Sequence, residues 1–150
     1  MPSIPREVDQ VRRALLVLPV AVGAIYFLGH SDRSDPKISV KEVLLEEAKA
    51  LIAAGALIVD VRERAAYEAR HIAGALLAPV STLAAAIPAS LVAARTMPLV
   101  VYCGDGAALG PKGTQILNKA GFAGAVNLKP GLQGWASAGL PIEQGPGKQA

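Results

Sequence analysis

Two short apolar runs constrain this chain most. They are Leu57-Ile58-Val59-Asp60-Val61 and Pro98-Leu99-Val100-Val101-Tyr102. Both are rich in β-branched residues and too short for a helix with a core face or for a membrane span. A strand apolar on both faces belongs in a sheet covered on both sides, which is the usual setting of parallel strands. Ala125-Val126-Asn127-Leu128 reads as a third such strand, and Ala75 to Ala78, closed by Pro79, as a shorter one. Helical stretches lie between them. Val40, Val43, Leu44, Ala48, Leu51 and Ile52 recur at helical spacing behind a capping box at Ser39 to Glu42, and Gly55 ends that helix. Arg64 to Arg70 forms a short helix, and Ser81 is read as the N-cap of an Ala-rich helix that Pro88 interrupts. Pro111 to Ala120 follows with Pro111 in the first turn, then Gly131 to Ala138. The alternation predicts an α/β domain with a central parallel sheet flanked by helices. There are no internal repeats.

The N-terminal region has another character. Ala14 to Gly29 is uncharged over 16 residues, roughly 24 Å as a helix at about 1.5 Å per residue. With His30 and Ser31, and with Arg13 extending its charge toward water, it reaches spanning length. It also explains a mean hydropathy of +0.38, high for a small soluble domain. The segment is read as a membrane anchor. A cleaved signal peptide would leave Ile25-Tyr26-Phe27-Leu28 on the mature end, and a buried helix of a soluble core would need a polar face that the run lacks. The expected organisation is an N-terminal flank over 1–13, a transmembrane helix over 14–31, a linker over 32–37, a globular domain over 38–143 and a flexible tail over 144–150. Positive charge is balanced across the segment: Arg6, Arg12 and Arg13 precede it, and Arg33, Lys37 and Lys41 follow it. The adjacent arginine pair and the free thiol described next tilt the domain to the cytoplasmic side of a single-pass protein.

Charge and cysteine content act mainly by exclusion. The chain has 15 Lys and Arg against 12 Asp and Glu, a net charge of +3, scattered without a basic run, and six aromatic residues in all. That excludes a nucleic-acid surface. One cysteine, Cys103, excludes an internal disulfide and any Cys-x-x-Cys redox or zinc site.

Cys103 directly follows the second apolar run and precedes Gly104-Asp105-Gly106-Ala107-Ala108-Leu109-Gly110 and then a helix. Sites in parallel sheets lie at the carboxyl ends of strands. Helix N-termini favour the thiolate, the reactive form of cysteine, and glycines let successive N–H groups converge on an anion. The same pattern is also compatible with an inert strand-end cysteine. A phosphatase loop, Cys-x5-Arg, is excluded because the sixth residue after Cys103 is Leu109 and no arginine follows.

Taken in order, Leu57 to Glu63, Tyr67-Glu68-x-x-His71-Ile72-Ala73-Gly74-Ala75, Pro79, Val101-Tyr102-Cys103 with its glycine loop, Ala120-Gly121-Phe122, Val126-x-Leu128 and Gly131 to Pro141 resemble a rhodanese-like domain. With its N-terminal segment the chain is similar to membrane-anchored single-domain proteins of that family. The resemblance implies sulfur transfer. Cys103 would be the nucleophile, taking sulfane sulfur from a small donor as a persulfide and passing it to cyanide or a thiol. Gly104, Asp105, Gly106, Ala107, Ala108 and Leu109 would be the cradle, with Arg62, Arg64 and Lys112 as the nearby cations. Neither cofactor nor metal is implied. The family loop commonly carries basic or hydroxyl side chains at the positions of Ala108 and Leu109, and Asp105 adds a negative charge where an anionic donor would approach. Ala73 stands where proline is usual. A second implied function is therefore a non-catalytic module binding a partner or subunit of a membrane protein complex. His71 is expected to order a turn, Asp60 and Arg62 to bond one another or the loop, and Trp135 to pack.

Overall fold

The computed structural model describes residues 37–150, so the segment read as a membrane anchor, the flank before it and most of the linker lie outside the described residues. Among the described residues no helix is long and apolar enough to cross a membrane. Residues 38–150 form one compact unit.

Six strands build a parallel sheet: β1 (Glu42–Val43), β2 (Leu57–Asp60), β4 (Leu76–Leu77), β5 (Leu99–Tyr102), β6 (Ala125–Leu128) and β8 (Lys148–Gln149), in the spatial order β1-β6-β5-β2-β4-β8. A separate antiparallel pair joins β3 (His71–Ile72) to β7 (Ile142–Glu143). The helices are α1 (Leu45–Ala53), α2 (Arg64–Ala69), α3 (Val80–Ala85), α4 (Ala89–Val92), α5 (Leu109–Lys119) and α6 (Gly131–Ser137). The three long apolar runs form the centre of the sheet, with Leu57 opposite Leu99 and Leu99 opposite Ala125.

Strand side chains alternate between faces, and here each face has its own core. Ile58, Val100, Tyr102, Val126 and Leu128 pack on one side with Ala48 of α1 and with Leu132 and Trp135 of α6. Val59, Val61, Leu99, Val101, Cys103 and Ala125 pack on the other with Leu117 of α5, Leu83 and Leu91. The alternation thus puts Cys103 under α5 and Tyr102 on the opposite face.

Several expected boundaries move. The capping box at Ser39 does not start a helix. Val43 enters the sheet opposite Leu128, and α1 begins at Leu45 with Leu44 as its N-cap. Pro79 rather than Ser81 precedes α3, and Pro88 begins α4 as a separate turn. α5 starts at Leu109, two residues before Pro111. The C-terminal segment, expected to fray, carries β8, which pairs with β4. It is held by Tyr67, whose hydroxyl accepts from the Lys148 N–H at 3.1 Å and donates to the Ala75 carbonyl at 2.7 Å.

Candidate functional site

The strand β5 delivers Cys103 to the carboxyl edge of the sheet, where the thiol is free and 3% exposed. The loop after it is held from beneath. The Cys103 carbonyl accepts from Leu132 N–H at 2.9 Å, the Gly104 carbonyl from Gln133 N–H at 2.8 Å, and the Gly106 carbonyl from Asn127 Nδ2 at 2.9 Å. Two donors of the first turn of α6 are thereby satisfied by the loop rather than by water. In trans peptides the N–H points opposite to the carbonyl, so the amides of Gly104 and Asp105 face away from α6. Gly106 makes this turn possible: its φ is +76°, and a Cβ there would lie 2.6 Å from the Leu128 carbonyl oxygen.

Asp105 caps the turn. Its Oδ1 accepts the Ala107 N–H at 2.9 Å and stands 3.7 Å from the Cys103 sulfur. Beyond it, Ala107, Ala108 and Leu109 are exposed and form an apolar rim leading into α5. Gly110 lets that helix approach the sheet. A Cβ there would overlap Asn127 Oδ1 and lie 3.3 Å from the Cys103 sulfur. Asn127 is fully buried, and its Oδ1 has no hydrogen-bond partner.

The structure therefore brings Cys103 and residues 104–109 together around one turn. The proposed cations behave differently. Arg62 does not reach the loop. Its Nε and Nη2 bond the buried Asp60 carboxylate at 2.7 to 3.2 Å, its Nη2 also donates to the Arg70 carbonyl at 2.7 Å, and the guanidinium lies 5.9 Å from the centre of the Tyr102 ring. Tyr102 belongs to the face opposite Cys103, and that places this arginine away from the thiol. Burial opposes the charge on Arg62, but Asp60 outweighs it, and the guanidinium pKa is raised overall. Arg64 bonds Gln149 Oε1 at 2.9 Å and Glu68 at 3.6 Å. Lys112 is exposed on α5.

The other candidates have structural partners. His71 is buried, its Nδ1 is 2.8 Å from the Tyr67 carbonyl, and its ring stacks on Tyr67 at 3.8 Å. Trp135 packs in the core and donates Nε1–H to the Pro141 carbonyl at 3.0 Å. Asn127 was not among the residues singled out from the sequence. The signal for it is a polar residue inside an apolar strand, because a buried amide must find partners. Among the described residues no group of three or more His, Cys, Asp or Glu could hold a metal ion. Two surface clefts, about 440 Å³ beside Arg70, Gln133 and Ser137 and about 370 Å³ beside Glu63, Arg64 and Gln149, are not lined by Cys103.

Comparison with known proteins agrees with this architecture. A family model for the rhodanese-like domain matches residues 44–138. The Escherichia coli (strain K12) protein titled "Uncharacterized protein YibN" is 35% identical over 107 residues, covering 71% of this chain and 74% of that one. The solved structure of the human single-domain sulfurtransferase TSTD1 is similar at a TM-score of 0.57 and 32% identity, over 66% of this chain and 97% of that chain. A rhodanese-like domain of the Anabaena protein Alr3790 aligns at a TM-score of 0.60 and 28% identity, over 71% of this chain and 80% of that chain. With a strand-end cysteine in a glycine turn at a helix N-terminus, and a family match over well more than half its length, the chain belongs to the rhodanese-like domain family.

Proposed function

We propose that this protein is a membrane-tethered sulfurtransferase that works through a persulfide on Cys103. The observation that carries the reading is the placement of the single cysteine at the end of β5, in a glycine turn leading into α5, within a rhodanese-like domain. The TSTD1 likeness supports the reaction type. In the step, the Cys103 thiolate attacks the sulfane sulfur of a donor. With thiosulfate the S–S bond breaks, sulfite leaves, and Cys103–S–S⁻ remains. A thiolate or cyanide then attacks the outer sulfur, forms a new persulfide or thiocyanate, and restores the Cys103 thiolate. The Gly104 and Asp105 amides, turned away from α6, are the groups available to stabilise negative sulfur. The chemistry requires neither metal nor cofactor.

The uncharged run from Ala14 to Gly29 supports the tether, and the thiol favours a domain on the cytoplasmic side. A second reading, a non-catalytic module that binds a membrane protein partner, is favoured by the Asp105 carboxylate 3.7 Å from the sulfur. Intact mass after exposure to persulfide and thiosulfate donors separates the two. An adduct of about 32 Da on wild type and none on Cys103→Ser is expected. No adduct with any donor removes the enzyme reading and leaves the module. Membrane fractionation tests the tether, which fails if the full chain stays in the soluble fraction.

A further inference from the structure

The two ends of the parallel sheet differ in chemistry. The carboxyl end carries the Cys103 turn together with Glu46, Glu47, Asp60, Glu63 and Asp105. The amino end is built by the connectors that enter β2, β5 and β6, residues 54–56, 93–98 and 120–124, and none of them holds an Asp or Glu. These connectors pack side by side. The Leu57 N–H donates to the Pro98 carbonyl at 3.0 Å, and the Leu99 N–H to the Gly124 carbonyl at 3.1 Å. Their outward surface is apolar: Ala54, Gly55, Met97, Pro98, Ala123 and Gly124 are exposed, Met97 at 38%. Two cations border it. The Arg95 guanidinium lies 5.7 Å from the centre of the Phe122 ring, and Lys119 is in the last turn of α5. Both are exposed, and among the described residues neither forms an ion pair, whereas Lys41, Lys49 and Lys129 are each paired with a glutamate. The chain enters the domain at this same end. Ile38, itself 36% exposed, leads to Lys41, whose carbonyl accepts the Asn127 N–H at 2.9 Å as β1 begins. Six residues, 32–37, lie between the segment read as an anchor and Ile38, and fully extended they reach about 20 Å. Their charges cancel, Asp32 and Asp35 against Arg33 and Lys37. A domain of this size is about 30 Å across, wider than that leash is long.

Resting on the membrane-tether reading above, we propose that the amino end of the sheet docks on the surface of an anionic bilayer. Arg95 and Lys119 meet the phosphate groups of anionic phospholipids, and Met97, Pro98 and Ala123 lie at the headgroup boundary. Charge and chain entry together select lipid as the occupant. A surface without carboxylates, bordered by two uncommitted cations, complements an anionic leaflet, and the attraction acts only within a Debye length, a distance the short leash permits. Docking by this end stands the strands upright on the membrane. From Pro98 to Cys103 the chain advances five residues along β5, roughly 16 Å. The thiol turn is then carried on the side away from the lipid, open to partners in water.

The full chain reconstituted in lipid nanodiscs tests this. Ala123→Cys and Leu109→Cys, both at exposed positions and each combined with Cys103→Ser, take a bimane label at the amino or the carboxyl end of the sheet. A lipid with a nitroxide headgroup quenches whichever label stays near the surface. In discs containing phosphatidylglycerol, stronger quenching at position 123 than at position 109 is expected. That excess should vanish in discs of phosphatidylcholine alone, and in about 1 M salt, where the screening length is about 3 Å. Lys119→Gln should reduce it about fivefold, the factor that one basic residue near an anionic leaflet contributes. The lipid and salt arms need no further substitution, so a variant that folds poorly does not decide the outcome. Equal quenching at the two positions, or an excess that lipid charge and salt leave unchanged, overturns the proposal. An excess found in native membranes but not in nanodiscs assigns the surface to a membrane protein and overturns it as well. A chain that does not enter the nanodiscs removes the tether reading itself, and this proposal with it.

Discussion

The Asp60 carboxylate is fully buried and holds Arg62 by a 2.7 Å contact to Nη2, with a second bond of 3.0 Å to the Arg62 backbone N–H. This clasp closes β2 and fixes the chain as it leaves the sheet toward α2. Removing one member of a buried pair strands the other, at a cost of about 3–5 kcal/mol. Arg62 can turn partly to water, so Asp60→Ala is expected to lose about 3 kcal/mol in urea unfolding, the low end of that range. A loss below about 1 kcal/mol would mean the pair is replaceable by solvent.

Tyr102 lies under this clasp, with its hydroxyl accepting the Ile72 N–H at 2.9 Å. Burial first, and then the nearby Asp60 charge, push its pKa well above the ordinary tyrosine value. The folded state therefore holds the phenol proton more tightly than the unfolded state does. Its contribution to stability is complete below about pH 10, the unfolded value, and is lost progressively as pH rises beyond it. Wild-type stability should fall from about pH 10 upward, and Tyr102→Phe should flatten that fall while losing about 1 kcal/mol at neutral pH. Parallel alkaline limbs in the two proteins would assign the fall to another group.

At Gly110 an alanine has no room, because the added carbon would overlap Asn127 Oδ1 and press on the Cys103 sulfur. Overpacking of this kind costs about 1–3 kcal/mol. Gly110→Ala should lose that much in thermal unfolding and should change the alkylation rate of Cys103 by iodoacetamide. An unchanged rate would show that α5 lifts from the sheet without disturbing the thiol.

Tyr67 is the tie between the domain body and the C-terminal segment. Tyr67→Phe removes the bonds to the Ala75 carbonyl and the Lys148 N–H, with an expected loss of about 1–2 kcal/mol. Hydrogen exchange should locate the change at the amide of Lys148 before it appears in β5. Uniform loss of protection would place Tyr67 in the global core instead.

The centre of the fold was legible because Leu57 to Asp60, Leu99 to Tyr102 and Ala125 to Leu128 are nearly all apolar, and such runs have few alternatives to a covered sheet. The two-residue strands β1, β3, β7 and β8 were not, since a pair of residues carries no period and their pairing is decided by neighbours far along the chain. Ser39 misled for a related reason. Val43 has the spacing of a helix face, but its burial serves the contact with β6. At the site, Cys103 and its glycines were readable from order alone. The direction of Arg62 was not, because it depends on which face of β2 carries Asp60. Asn127 was hidden by the same strand that made β6 easy to recognise.

The pairing of β8 with β4 has a consequence for the behaviour of the chain in solution. Leu76 and Leu77 lie at what would otherwise be the open margin of the sheet, and Lys148 and Gln149 cover it with polar, exposed side chains. An uncovered margin of this kind presents free N–H and carbonyl groups to any other strand. The last residues therefore serve as a guard against self-association, and a chain shortened before Lys148 would offer its leucine strand to a neighbouring copy.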